Sequence, residues 1–225
     1  MKFNPMKITS WFFDFDDTLA SAALTWAFDT AIPKLIEQYN LPVEQNHLER
    51  ELLVAQERWS HDDNFMPILN DLFKEMGWSS ELQKAFMKDL QTGYQPRVFE
   101  DALDLLRSLA QAGQLVYVIS NNVIAPQTAQ NLGIAPYLRD IFTPHMFPDA
   151  QRKPHPSFWQ AILNRYPSLR TTTPIFIGNN PWTDGAFAEA CGISCCIVDR
   201  TGRMASLYEG KPYRWVNSLR DIPLA

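Results

Sequence analysis

Excess positive charge, cysteine and long apolar runs are all scarce in this chain of 225 residues. Twenty Lys and Arg stand against 25 Asp and Glu, a net charge of -5. There is no broad basic field, so nucleic acid is a poor partner, and an anionic substrate must be drawn in by local groups such as a metal ion or a lysine. The three cysteines, Cys191, Cys195 and Cys196, lie close together near the end. Their number is odd and their spacing matches no zinc pattern, which excludes a disulfide framework and leaves them as small buried apolar residues. No stretch is long enough to cross a bilayer, and the run Trp11 to Phe13 is cut short by Asp14. The opening MKFNPMKITS has no apolar signal core, so no membrane partner and a cytoplasmic location are expected.

What remains is globular material. Hydrophobic residues make up 46% and charged residues 20%, enough for one large domain or a main domain with a smaller one. Four short apolar runs read as buried parallel strands: Ile8–Phe15, Gln114–Ser120, Pro174–Gly178 and Ser194–Val198. Helical patterns lie between them. Val98, Ala102, Leu105, Leu106 and Leu109 recur at helical spacing until Gly113, and Pro156–Tyr166 and Thr183–Cys191 follow, the last ended by Gly192. Strand and helix in this order predict an α/β fold with right-handed crossovers.

Residues 20–95 break that alternation. They read as four helices, Ala22–Tyr39 with a bend at Pro33, Val43–Trp59, Asn64–Met76 and Ser80–Leu90, the last capped by Ser79 or Ser80. An all-helical insert directly after the first strand is expected to be a small domain with its own core. Trp26, Phe28, Trp59, Phe65 and Trp78 are expected to fill that core.

The chemistry begins at Phe13-Asp14-Phe15-Asp16-Asp17-Thr18-Leu19. Side chains two apart on a strand share a side, so Asp14 and Asp16 converge at the carboxyl end of the first strand, where ligands of open α/β sheets bind. Two such carboxylates repel, and a proton, a cation or both must compensate. That suits a hard cation with one nucleophilic and one acid/base carboxylate; the same pair also reads as solvated loop aspartates capping a helix. Ser120 and Asn121 follow the second strand, with a hydroxyl and a backbone N–H able to hold phosphoryl oxygens, or simply a good turn sequence. Lys153, in Lys-Pro-His-Pro, can neutralise a phosphoryl group or the crowded aspartates, or be an ordinary exposed lysine. Gly178-Asn179-Asn180-Pro181-Trp182-Thr183-Asp184 adds the oxygens of Asn179 and Asp184 after the third strand, or a loop with a helix cap. Polar groups after three successive buried strands fall in one crevice, a coincidence the plainer readings do not produce.

Strand into Asp-x-Asp-x-Thr, then Ser-Asn, then Lys-Pro, then Gly-Asx with a distant Asp resembles the haloacid-dehalogenase-like hydrolase superfamily, in the branch with an α-helical cap. Pro96-Arg97-Val98, Leu132-Gly133-Ile134 to Ile141-Phe142 and Ala190-Cys191-Gly192-Ile193 extend the likeness over nearly the whole core. The resemblance implies a Rossmann-like doubly wound parallel sheet formed by residues 1–19 and 96–225, with a helical cap at 20–95 hinged near Ala20–Ala22 and Thr92–Gln95. It implies a magnesium-dependent phosphatase acting on a small phosphorylated metabolite. Asp14 would attack phosphorus and form an aspartyl-phosphate, and Asp16 would protonate the leaving group and then activate water. Thr18 would help hold the aspartates, Ser120 and the Asn121 N–H would bind the phosphoryl group, and Lys153 would balance its charge. Magnesium would sit on Asp14, the Asp16 carbonyl, Asn179 and Asp184.

Two departures stand out. Asn179 replaces the usual Asp and brings an amide oxygen without charge, which predicts weaker magnesium binding. Arg97 replaces a usual Gly. Dehalogenases of the superfamily lack the second aspartate, so Asp16 argues against that chemistry. The competing readings are a phosphosugar mutase, a phosphonate hydrolase, or a phosphate-binding module made catalytically weak or inactive by Asn179. Arg58 could meet an anionic or sugar group, but reads better as an ordinary exposed arginine. His61-Asp62-Asp63 reads as a helix-capping loop, and His145 and His155 are loop residues with no evident partner. The sequence carries no signal of oligomeric state.

Overall fold

The computed structural model describes residues 8–59, 65–202 and 210–223, so the His61-Asp62-Asp63 loop lies outside the described residues. The chain divides into two compact units, one formed by Met1–Ala20 with Arg97–Ala225 and the other by Ser21–Pro96.

The first unit is built on six parallel strands: β1 (Ser10–Phe13), β2 (Leu115–Ile119), β3 (Asp140–Phe142), β4 (Pro174–Gly178), β5 (Ser194–Val198) and β6 (Arg214–Val216). Their order is β3-β2-β1-β4-β5-β6, that of a doubly wound Rossmann-like sheet. Strand β1 pairs with β2 on one side and β4 on the other, Phe13 lying opposite Val118 and Ile177. Chain direction reverses its progress at β1, so the switch point that opens a ligand crevice lies at the end of this strand. The two outer strands β3 and β6 are additions to the four expected from sequence; each has three residues, too few to show a pattern.

Both faces of the sheet are buried, and β1 shows why its sequence has no polar alternation. Trp11 and Phe13 pack with Val116, Val118, Ile175, Ile177 and the Glu100–Gln111 helix. Phe12 points the other way, into Tyr117, Ile119, Phe176 and the helices Ser157–Arg165 and Ala186–Cys191. Burial of these side chains supplies the main drive for closing helices onto the sheet. Gly192 ends the Ala186–Cys191 helix with φ 67°, a left-handed value that costs a glycine nothing. The three thiols are free; Cys195 and Cys196 are buried, and burial pushes Cys191 and Cys196 up to about 12.

The second unit is helical among its described residues: Ala23–Trp26, Ile32–Tyr39, Gln45–Arg58, Met66–Glu75 and Ser80–Gly93. The first two are joined by a π-helical turn at Ala27–Ala31, where the Ile32 N–H reaches the Ala27 carbonyl. Pro33 accounts for it: proline has no N–H to give and its ring crowds the turn before it, so the helix widens rather than breaks. Ser79 caps the last helix by accepting from the Leu82 N–H. Phe28 is buried in this unit's own core, with Trp26, Trp59, Phe65 and Trp78 packed against it. Arg58 donates to Asp71 at 2.6 Å, and the Trp59 indole N–H reaches the same oxygen at 2.8 Å.

One polar tie binds the sheet unit beneath the crevice. Arg200, just after β5, donates to the carbonyls of Asp17 (2.8 Å) and Thr18 (2.9 Å) and to Asp101 Oδ1 (2.9 Å). Its guanidinium lies 4.0 Å from the Phe99 ring centre. Asp101 Oδ2 in turn accepts from the Ser218 hydroxyl (3.0 Å) and the Leu219 N–H (2.8 Å). Burial works against the Asp101 charge, but the bonds from Arg200, Leu219 and Ser218 outweigh it and hold its pKa below the usual 3.8. Its contribution is therefore present above that range and lost as pH falls through the lowered value. Replacing Asp101 by Asn is expected to cost about 2–3 kcal/mol in urea unfolding at pH 7, because Arg200 loses its buried counter-charge. The deficit should narrow as the pH falls below 3.8, where the unfolded carboxyl takes up its proton, and close below the lowered value, where the native carboxyl is neutral as well.

Candidate active site

Every group singled out in the sequence motifs reaches the same end of the sheet. Asp14 follows β1, its N–H still paired to the Ile177 carbonyl at 2.8 Å, which anchors the residue one step past the strand. The chain then turns: Asp17 takes a left-handed φ of 56°, its N–H bonds to the Ala20 carbonyl, and Leu19 and Ala20 donate back to Phe15. An aspartate tolerates that conformation better than most residues, and Arg200 grips the consecutive carbonyls of Asp17 and Thr18. Ser120 leaves β2 with its N–H on the Phe142 carbonyl of β3.

The centre of the site is a buried lysine. Lys153 Nζ lies 2.7 Å from Asp14 Oδ1 and 2.7 Å from Asp184 Oδ1, 5.2 Å from the Phe176 ring centre, with 2% of its side chain exposed. Asp184, also buried, uses its other oxygen to accept the N–H groups of Asn179 (3.1 Å) and Asn180 (3.0 Å). Gly178 makes this possible, since a Cβ there would collide with the Asp184 carboxylate. Asn180 caps the following turn by accepting from Trp182 and Thr183. The loop bearing Lys153 is held by Asn121, whose side chain donates to the Lys153 carbonyl (2.9 Å) and accepts its N–H (3.0 Å).

These contacts decide the charges. Burial pushes Asp14 up from 3.8 to about 8; nearby Asp184 and Asp16 add to the rise, and Lys153 only partly offsets it. Burial likewise raises Asp16, against a hydrogen bond from Asn122 and the field of Lys153. Burial alone would lower the pKa of Lys153, but Asp14 and Asp184 raise it above the ordinary value, so it stays an ammonium. Three carboxylates facing one ammonium leave a site too negative for a phosphate unless protons or a divalent cation enter with it.

The sequence reading placed Thr18, Ser120 and Asn121 here in binding roles. Thr18 is fully buried, its hydroxyl 3.5 Å from Asp14 Oδ2 and 3.4 Å from Asn179 Oδ1, able to donate to one of them at a time. Ser120 Oγ accepts the Asn122 N–H at 3.0 Å and keeps its own proton to donate. Asn121 acts through its side chain, as the clamp on Lys153. Two participants were not singled out: Asn122, which donates to Asp16 Oδ1 at 3.3 Å, and Arg200. Both sit in strings that read as turns, Ser-Asn-Asn and Asp-Arg-Thr-Gly; an arginine just past a buried strand was the only signal. His155, without an evident partner in the sequence, accepts the Ser157 N–H on Nδ1 (3.1 Å) at the start of the Ser157–Arg165 helix. His145 stands in the short turn Pro144–Met146.

Among the described residues there is no group of three or more His, Cys, Asp and Glu side chains arranged to hold a metal. The oxygens on hand are the Asp14 carboxylate, the Asp16 carbonyl and the Asn179 amide, with Asp184 behind them. Hard, mostly neutral oxygens of this kind fit magnesium and poorly fit softer metals.

Comparison with known proteins places this geometry. A family described as haloacid dehalogenase-like hydrolase matches residues 10–192. No curated protein matches the sequence. Among solved structures, a HAD family hydrolase from Deinococcus radiodurans with bound phosphate and sodium superposes with a TM-score of 0.68 at 18% identity, over 96% of this chain and 93% of that one. The HAD-hydrolase YfnB from Bacillus subtilis, bound to magnesium, gives 0.62 at 21% identity, over 96% of each chain. A 2-haloacid dehalogenase from Pseudomonas syringae gives 0.53 at 22% identity, over 94% of this chain and 95% of that one. At these identities the likeness is one of fold.

The buried charge predicts a stability effect. A carboxyl with a pKa near 3.8 unfolded and about 8 folded resists ionisation only in the folded state, so metal-free stability falls as pH rises between those values. Asp14→Asn removes that penalty. In the presence of a chelator the variant should melt above the native chain at pH 8, and the gap should close toward pH 4. A variant that melts lower at every pH would show that the Lys153 contact outweighs the burial.

Proposed function

We propose that this chain, which belongs to the haloacid dehalogenase-like hydrolase family, is a magnesium-dependent phosphatase that hydrolyses a small phosphate monoester through an aspartyl-phosphate at Asp14. The observation that carries this reading is the second carboxylate. Asp16 stands two residues beyond Asp14 with its pKa raised by burial, the condition of a group that must donate a proton near neutral pH. A dehalogenase has no leaving-group oxygen to protonate.

The residues divide the work as follows. Ser120 donates its free proton to a phosphoryl oxygen, and Lys153 supplies the fixed positive charge that the phosphoryl group shares with Asp14. Asp14, ionised once a ligand balances the site, forms the Asp14–phosphorus bond as the phosphorus–ester oxygen bond breaks. The Asp16 proton goes to that oxygen, which leaves as an alcohol. Water then bonds to phosphorus, gives a proton back to Asp16, and releases Asp14 as a carboxylate. Magnesium held by Asp14, the Asp16 carbonyl and Asn179 would neutralise charge on the phosphoryl oxygens. Asp184 serves through Lys153 and through the turn that presents Asn179. The Ser21–Pro96 unit, inserted in the chain directly after the Asp14–Leu19 motif, is assigned the role of substrate-selecting cap.

The experiment is phosphate release from p-nitrophenyl phosphate and a panel of sugar phosphates and nucleotides, with magnesium titrated. Turnover should require magnesium and fall by about three orders of magnitude or more in Asp14→Asn. Asn179→Asp restores a charged ligand and should tighten the half-saturating magnesium concentration about tenfold. Phosphate binding without turnover of any ester would favour the alternative that Asn179 suggests, a binding protein on the same scaffold.

A further inference from the structure

Asn122 stands between the group that holds the phosphoryl oxygens and the group that moves the proton. Its backbone N–H donates to Ser120 Oγ (3.0 Å), its carbonyl accepts the Ala125 N–H (3.1 Å), and its side-chain Oδ1 accepts the Ile124 N–H (3.0 Å). These bonds fix the backbone and the side-chain torsions together. The bond from Ile124 also determines which end of the amide is oxygen, so Nδ2 is the atom turned to Asp16 Oδ1, at 3.3 Å. At that length the bond contributes little energy. Its effect is directional. Among the described residues no other side chain bonds Oδ1 of Asp16, and none bonds Oδ2. With Oδ1 occupied by a donor, the transferable proton belongs on Oδ2.

We propose that Asn122 is a positioning residue for proton transfer: it holds Asp16 Oδ1 so that Oδ2 meets the ester oxygen of a phosphate bound at Ser120. This rests on the phosphatase reading. In the first step the Oδ2 proton passes to the ester oxygen as its bond to phosphorus breaks. In the second the attacking water returns a proton to the same oxygen. Because Asn122 also fastens Ser120, the distance between phosphoryl group and proton donor is set by one residue. A misdirected carboxyl would matter most when the leaving group needs the proton most. The predicted signature is therefore a change in leaving-group dependence, which a purely structural asparagine would not produce.

The test uses the full chain with magnesium and a series of aryl phosphates from p-nitrophenyl, whose anion leaves unaided, to unsubstituted phenyl, whose anion does not. Native protein is compared with Asn122→Ser, which keeps a local acceptor for the Ile124 N–H but cannot reach Asp16, and with Asn122→Ala. In both variants kcat/KM for phenyl phosphate, which reports the leaving-group step alone, should fall about tenfold while kcat/KM for p-nitrophenyl phosphate changes by less than about twofold; the water step is common to both esters and does not enter that ratio. Equal losses on the two esters, or no loss on either, would overturn the assignment. If Asn122→Ala does not fold, the Ser variant decides alone. Release of phosphate from neither ester by the native chain would remove the phosphatase reading and this role with it.

Discussion

Three aspartates converge on a single buried ammonium, and most of the surrounding structure makes that crowding tolerable. Lys153 touches Asp14 and Asp184 at equal distance, and Asp16 feels its field. Removing Lys153 would leave the carboxylates inside the sheet's end with no cation to answer them. On the proposed phosphatase reading, that carboxylate excess would be relieved by a proton on Asp16 and by a cation, the two things that phosphoryl transfer at neutral pH requires.

The scaffold delivers these groups by strand ends rather than by side-chain contacts within the sheet. Strand β1 lies between β2 and β4, so the residues just beyond those three strands are neighbours whatever the loops contain. Two further devices refine the placement. Asn121 carries the Lys153 loop by its backbone, which leaves the lysine side chain free to enter the site. Gly178 lets Asp184 press against the strand end and take up the N–H groups of the turn. Arg200 and Asp101 stiffen the Asp14–Ala20 turn from below, and a left-handed aspartate at its apex needs such support.

How much of this was legible in the sequence follows from the range of the interactions. The α/β sheet was, because runs such as Pro174–Gly178 are unbroken apolar and helical patterns lie between them, while its doubly wound order was implied by the family resemblance. The strands β3 and β6 were not, because Asp140-Ile-Phe and Arg214-Trp-Val are too short to carry periodicity. Asp14, Asp16, Thr18, Ser120, Lys153, Asn179 and Asp184 announced themselves by position after strands. Their division of labour did not: that Asp184 is spent on Lys153 and two backbone donors, and that Asn121 works by its side chain, are facts of contact between residues far apart in the chain. Asn122 and Arg200 were hidden in strings whose turn-forming character was true but incomplete.

The central proposal is that Asp14, ionised once a cation and a phosphate ester balance the site, is the nucleophile. Protein turning over an aryl phosphate with magnesium can be quenched rapidly in acid, which preserves an acyl phosphate, then cleaved and mapped by mass spectrometry. The account predicts a phosphoryl group on the peptide that carries Asp14, at a level that rises and falls with turnover. Turnover with no phosphorylated peptide, or with the group on a different residue, would contradict it.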